Sequence, residues 1–358
     1  MRKDELGFLY PQVDKERCVD CSLCERVCPD SSSKDQDLLA SFAAQATDDE
    51  VRRESSSGGL FSLIAQDFLS KNGVVFGAAF TEDFYGVRHI AVQTKEELYK
   101  LQGSKYLQSD LGDSFRAVKE YLEEGRPVLF SGTPCQVAGL KSFLGRDYAQ
   151  LCLLGVVCHG VPAPAVWQKY LSLMEQKYGG KAKSVSFRDK RYGCQNYVLS
   201  IRFENGKELV EDRVKNLFMR GFLQDIYLRE SCFECKQKGL QNAADILLGD
   251  LWGAEEICPE QHDNKGTSLV MVFSKKAEQL LEQIESSFRF QPIETECAVK
   301  HNPAIVKSSK MNPKSVSFEA EFLSEPSGRV FKKYCAQPLC EKVLVGVKKT
   351  IKKVLKYK

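Results

Sequence analysis

Apolar residues along the chain follow two rhythms. Short continuous runs, VVFGAAF (74–80), VRHIAVQ (87–93), PVLFSG (127–132) and LCLLGVVCHG (151–160), have the length and β-branched content of strands. Between them apolar positions recur every three to four residues, as a helix with one buried face requires. That rhythm predicts helices over 111–124, stopped by Gly125; over 133–145, with Pro134 at its first position and Gly145 past its end; and over 162–179. Thr94 and Glu97 form a capping-box signature for another helix, KEELYKL. Strand, helix, strand, helix predicts an α/β core with parallel pairing. Beyond Gly180 the pattern becomes a hairpin, YVLSIRFENGKELVE, turning at Asn205-Gly206. A helical stretch (214–228), two strands in DILLGDLWG and SLVMVFS, and the helix KKAEQLLEQI complete it. The polar stretch 31–59 predicts a linker with one short helix and a serine-glycine loop.

Composition narrows the class. The 358 residues suffice for two or three domains, and 43% hydrophobic with 28% charged residues is that of a folded soluble protein. No apolar run approaches the ~18 residues of a membrane span, and the charged start is unlike a secretory signal, so a cytoplasmic protein is expected. In that reducing compartment, 14 cysteines point to metal ligation or thiol chemistry instead of disulfides. The net charge of +3 hides an asymmetry: 342–358 holds seven lysines and no acid, which leaves the first 341 residues at −4. This tail sets Val347, Ile351, Val354 and Leu355 against its lysines, as a solvated helix or as a peripheral contact with an anionic membrane or acidic partner. Nucleic-acid binding is not expected, because no aromatic stacking motif accompanies the basic residues.

The sharpest signal is Cys18-x2-Cys21-x2-Cys24-x3-Cys28-Pro29, the spacing of bacterial ferredoxins. Three close thiolates wrap one corner of a 4Fe-4S cube. Zinc fits less well, since it normally takes two ligands from one knuckle and two from a distant one. In two-cluster ferredoxins the fourth cysteine of each run serves the other run's cluster, and only one run is present here. The preceding DELGFLYPQVD has the form of the strand and turn between two ferredoxin halves. Either the other half lies upstream of Met1, or the cluster recruits Cys28 or a remote thiol among Cys258, Cys297, Cys335 and Cys340.

A second set of thiols sits at element ends: Cys135, Cys158, and the pair Cys232 and Cys235. Cys135 falls in the first turn of a helix, where free N–H groups and the helix dipole are expected to lower its pKa. Cys158 follows a strand directly, where α/β folds place their sites. From spacing alone Cys232-x2-Cys235 is equally half a zinc knuckle or a redox dithiol, and His159 equally orients a substrate or caps a turn. Cys152, inside LCLLGVV, is expected to be a small buried hydrophobe. Neither a dinucleotide-binding G-x-G-x-x-G nor a P-loop is present. The loops at 55–59, 103–109, 132–135 and 249–253 present backbone N–H groups suited to phosphates, or are ordinary turns.

In this order, GFLYP, C-x2-C-x2-C-x3-CP, SSSGG, GSKYLQS, GTPCQ, CHGVP, C-x2-C and DILLGDLWG resemble the beta-subunit family of coenzyme F420 hydrogenases and dehydrogenases, from about residue 6 to about 310. The resemblance implies an incomplete ferredoxin-type module (1–33), a linker (34–54), a mixed α/β flavin-binding core in two parts (55–135 and 136–310) and a C-terminal extension with the basic tail (311–358). It makes Cys135, Cys158, Cys232 and Cys235 ligands of a core cluster. It assigns Ser57, Gly58, Gly59, Ser104, Lys105, Tyr106, Gln108, Thr133, Asp250 and Trp252 to an FAD site. Relatives include proteins encoded beside bacterial surface-polysaccharide genes. One or two 4Fe-4S clusters and FAD are thus expected as cofactors.

The expected function is an oxidoreductase that takes single electrons from ferredoxin or another redox protein and delivers hydride from FAD to an unknown acceptor. Lys105 would offset charge on flavin or its phosphates, and His159 would donate a proton. The alternatives are an electron-transfer adaptor for a partner subunit, a true F420 reductase subunit with coenzyme F420 as acceptor, and a structural zinc protein.

Overall fold

The computed structural model describes residues 1–29 and 36–337, so the basic tail and Cys340 lie outside the described residues. Its centre is a nine-stranded mixed sheet. In chain order these strands are β1 (Ala40–Ala46), β2 (Val74–Phe80), β3 (Val87–Val92), β4 (Ser109–Asp110), β5 (Val128–Gly132), β6 (Leu151–Val156), β10 (Ile246–Asp250), β11 (Ser268–Val272) and β12 (Phe288–Pro292). Their spatial order is β12-β1-β11-β10-β6-β5-β2-β3-β4. The central run β10, β6, β5, β2 is parallel, as the continuous apolar runs predict for strands covered on both faces. Antiparallel strands flank it on both sides.

Helices cover each face. α1 (Leu60–Ser70) lays Leu60, Ile64, Ala65 and Phe68 over Val75, Leu129 and Leu154. On the other face α2 (Ser114–Glu123) and α3 (Pro134–Leu144) bury Val118, Leu122, Val137 and Leu140 against Phe76, Val128 and Phe130. α3 begins as its sequence predicts, with Thr133 and Gln136 closing a capping box and Gly145 at φ +66° ending it.

A second, three-stranded antiparallel sheet contains β7 (Ala182–Asp189), β8 (Val198–Phe203) and β9 (Glu208–Asp212), with the Asn205-Gly206 turn between the last two. It packs on α4 (Pro164–Tyr178), α5 (Leu217–Leu223), α7 (Ser315–Ser324) and α8 (Ser327–Cys335); α6 (Lys275–Gln283) lies at the main sheet. Aromatic rings fill this second core: Trp167, fully buried, lies 4.9 Å from Phe187 and 5.0 Å from Phe218 between ring centres.

Four expectations change. The linker over 34–54 contains β1, which pairs with β11 and β12 inside the main sheet; its Ala-rich apolar run is short and carries no strand-forming punctuation. The stretch after Thr94 is a 3-10 helix (Lys95–Lys100), since Thr94 makes no side-chain cap and Glu97 pairs instead with Lys100 at 2.7 Å. Within 214–228 only Leu217–Leu223 is α-helical: Asn216 caps it through Met219 N (3.0 Å), and Asp225 at φ +60° turns the chain out. Residues expected as a C-terminal extension belong to the core, since Phe318, Phe322 and Phe331 are buried in it. Among the described residues no helix is long and apolar enough to cross a membrane.

Candidate functional site

The parallel strands β5, β6 and β10 end at one edge, where the next residues are Thr133 to Cys135, Cys158, and Leu251 with Trp252. Open α/β sheets bind ligands at that edge. β1 points the same way, two antiparallel steps across, and delivers the serine-glycine loop to it: Ala46 N donates to Gly58 O at 2.7 Å.

The core thiols gather from three elements. Cys135 is in the first turn of α3 and Cys158 two residues past β6. The segment after Cys158 is zipped to the one before Cys232 by a Pro162–Leu228 bridge and by Arg229 N donating to Val161 O at 2.9 Å. Cys158 feels the charge of Cys135, Cys232 and Cys235, and burial first, then these neighbours, push its pKa up to about 12. The surface of Cys135 is open to solvent, yet packing around its sulfur raises its thiol pKa, partly offset by its Thr133 contact at 3.1 Å. The lowering expected from the helix terminus is therefore outweighed by desolvation. Among the described residues no three His, Cys, Asp or Glu side chains close around a single metal ion. Four thiols drawn from three elements are the set a cube-shaped cluster would take, each ligand on a different iron.

The loops converge on a residue that the sequence did not single out, Arg188 at the end of β7. Its guanidinium is buried, pairs with Asp250 through both carboxylate oxygens (Nη2–Oδ1 3.1 Å), and lies 4.2 Å from the Tyr197 ring centre and 5.2 Å from that of Trp252. Burial opposes its charge, but the Asp250 carboxylate more than offsets this and holds its pKa well above the ordinary value. Nη1 also reaches Tyr106 Oη and Nη2 the Ser56 carbonyl, each at 3.5 Å, while Nε is buried with no partner among the described residues. Ser104 joins the same loop cluster, its N and Oγ meeting Ser56 Oγ at 2.6 and 2.9 Å. Lys190 braces the serine-glycine loop by donating to Ser57 O at 3.2 Å. Gly58 has no room for a side chain: a Cβ there would lie 2.6 Å from Ser268 N. Gly59, at φ +96°, opens α1. These contacts gather the 55–59, 103–109 and 249–253 loops around one buried arginine–aspartate pair.

Two family profiles cover most of the core. Residues 41–115 match the N-terminal profile of the coenzyme F420 hydrogenase/dehydrogenase beta subunit, and residues 125–296 match its C-terminal profile. The chain belongs to this beta-subunit family. A chain of the F420-reducing NiFe hydrogenase complex from Methanosarcina barkeri has a similar fold, with 16% identity and a TM-score of 0.52 over 81% of this chain and 94% of that one. No curated protein matches.

In this member of the beta-subunit family the remaining expected site residues are spread more widely. Lys105 turns its amine to the carbonyls of Lys100 (3.0 Å) and Gln102 (2.7 Å), and burial lowers its pKa to about 7. His159 Nε2 stands 2.7 Å from Asp225 Oδ1, off the hydrogen-bond axis, with its ring edge-on to Phe222, which stacks on Tyr106. Gln108 Oε1 accepts from Arg229 at 3.4 Å, beside the Cys232 segment. Cys152 is buried, as expected, and burial raises its pKa. Cys18, Cys21 and Cys24 are exposed and Cys28 half-buried. Of the remote thiols expected as alternatives to complete that run, Cys258 and Cys335 are buried in apolar clusters, and Cys297 lines a separate cavity of about 440 Å³ with Glu256, Lys300 and His301. Sequence reasoning missed Arg188, Lys190 and Cys194, whose sulfur is 3.6 Å from Arg188. Their stretch, RDKRYGC, reads as solvated charge unless the strand's end is known to be inside.

Proposed function

We propose that this chain is an electron-transfer oxidoreductase subunit in which Cys135, Cys158, Cys232 and Cys235 hold one iron–sulfur cluster, Cys18, Cys21, Cys24 and Cys28 another, and the loops around Arg188 a flavin. The observation that carries this is the meeting of four thiols from three elements at the sheet edge to which the 55–59, 103–109 and 249–253 loops also come. When bound, clusters carry single electrons and a flavin pairs them into a hydride. Arg188, whose charge is balanced by Asp250, brings a buried Nε with no hydrogen-bond partner among the described residues to these loops, where it would serve as a donor to a ligand. Lys105, with a pKa of about 7, takes up or releases a proton near neutral pH. His159, 2.7 Å from Asp225 and edge-on to Phe222, is the proposed proton donor. Ferredoxin or a similar one-electron carrier is the proposed donor, a partner subunit the proposed neighbour, and coenzyme F420 or a pathway metabolite the proposed acceptor. The test is iron, acid-labile sulfide and flavin quantification on anaerobically purified protein. Iron and sulfide in equal amounts, about four of each per cluster, with releasable flavin, are expected; stoichiometric zinc without iron would sink the proposal.

A further inference from the structure

The segment that carries the N-terminal thiols is tied to the core at two places, and both flank the Cys232–Cys235 pair. On one side Arg229 donates Nη2 to Leu9 O at 3.0 Å and lies 4.2 Å from the Tyr10 ring centre, while the neighbouring Phe8 is buried in the aromatic core. Backbone pairing adds to this anchor, with Ala165 N donating to Leu6 O at 2.9 Å. On the other side Gln237, only 7% exposed, donates Nε2 to the carbonyl of Pro29 at 2.8 Å. The Pro29 ring faces Gly139 on α3, one helical turn beyond Cys135. Cys18 to Cys28 therefore form an exposed loop clamped at both ends to the elements that carry the core thiols.

A clamp of this kind has a chemical purpose. Electron exchange between two centres falls steeply with their separation, so a loosely tethered loop would spend much of its time too far away. A buried hydrogen bond donated by a side-chain amide biases a short loop toward one docked position. Among the described residues the Gln237 amide donates to the Pro29 carbonyl. Arg229, in contrast, also reaches Gln108 Oε1, and it joins the clamp to the loop that carries Tyr106.

We infer that Arg229 and Gln237 are positioning residues that hold the N-terminal thiols at a fixed distance from the core thiols and thereby set the rate of electron exchange between the two. This rests on the proposed cluster assignment for both sets. The test uses full-length protein purified anaerobically, with Gln237→Leu and Arg229→Met made singly, so that one variant reports if the other fails to fold. Two readouts are taken. Amide hydrogen exchange follows residues 11–29, with β5 and β6 as internal reference; the variants should exchange at least about tenfold faster in 11–29 and unchanged in the reference. Electron paramagnetic resonance of the fully reduced protein follows the magnetic interaction between the two centres, which should weaken in the variants at unchanged iron content. Wild-type protection of 11–29 together with an unaltered magnetic interaction would overturn the inference. Wild-type protein free of iron would overturn the cluster assignment instead, and the exchange result would still decide whether the clamp exists.

Discussion

Replacing Arg188 by methionine tests the centre of the site. The side chain is 3% exposed and its carboxylate partner, Asp250, 18%. Methionine keeps much of the volume, so the cost comes from the charge left behind: a buried carboxylate that loses its guanidinium costs about 3–5 kcal/mol. Residual solvent access at Asp250 favours the lower end, and loss of the stacking on Tyr197 and Trp252 adds about 0.5–1 kcal/mol for each ring. A total near ~4 kcal/mol follows for Arg188→Met. Asp250→Asn keeps an acceptor but strands the guanidinium, and about 2–3 kcal/mol is expected. The double variant leaves no unpaired charge, so it should recover at least about 2 kcal/mol of the summed losses. Urea unfolding of all four proteins, followed by circular dichroism, measures the cycle. A loss below about 1 kcal/mol for Arg188→Met, or strict additivity, would refute the view that this pair is buried, coupled and central to the loop cluster.

Gly58→Ala should destabilise by about 1–3 kcal/mol, because its Cβ would press on the backbone of Ala44 and Ser268; urea midpoints check this, and a neutral result would mean the loop is free to move. Lys105 gives a pH signature. Its folded pKa of about 7 lies below the ordinary value of 10.5, so between these values the unfolded chain binds more protons and stability rises with pH. Lys105→Met removes that dependence, and the stability of the variant relative to wild type should improve by up to about 1.4 kcal/mol for each pH unit lowered across that window. A gap that does not change across that window would count against the buried amine. Trp167→Ala, emptying the aromatic core, should cost about 3–5 kcal/mol without changing iron content; concurrent loss of iron would link that core to the thiols more closely than its position suggests.

Much of the architecture is legible in local patterns. The parallel strands and α3 follow from continuous apolar runs bounded by Pro134 and Gly145, because burial on both faces and helix stop signals are written within a short stretch of chain. β1 is not legible in this way: its partners, Ser268–Val272 and Phe288–Pro292, lie far along the chain, and nothing local marks SFAAQA as a sheet strand. The site divides along the same line. Cysteines at element ends are visible because their chemistry is rare, and Cys135, Cys232 and Cys235 all act electrostatically on Cys158. Arg188 and Gln237 are invisible, since an arginine in a charged run and a glutamine in a loop acquire their roles only from tertiary burial.

The distant pairing of β1 also orders events during synthesis. The strand has no partner strand until residue 272 has followed it, an interval of about 10–45 s at ordinary elongation rates. Through that time the nascent chain exposes an unpaired apolar edge, and the main sheet stays open on the side where the serine-glycine loop will sit. The four cysteines of the 18–28 run, in contrast, emerge within eleven residues of one another. Pairing of β1 with β11 and β12, followed by docking of α7 and α8, thus comes late in assembly.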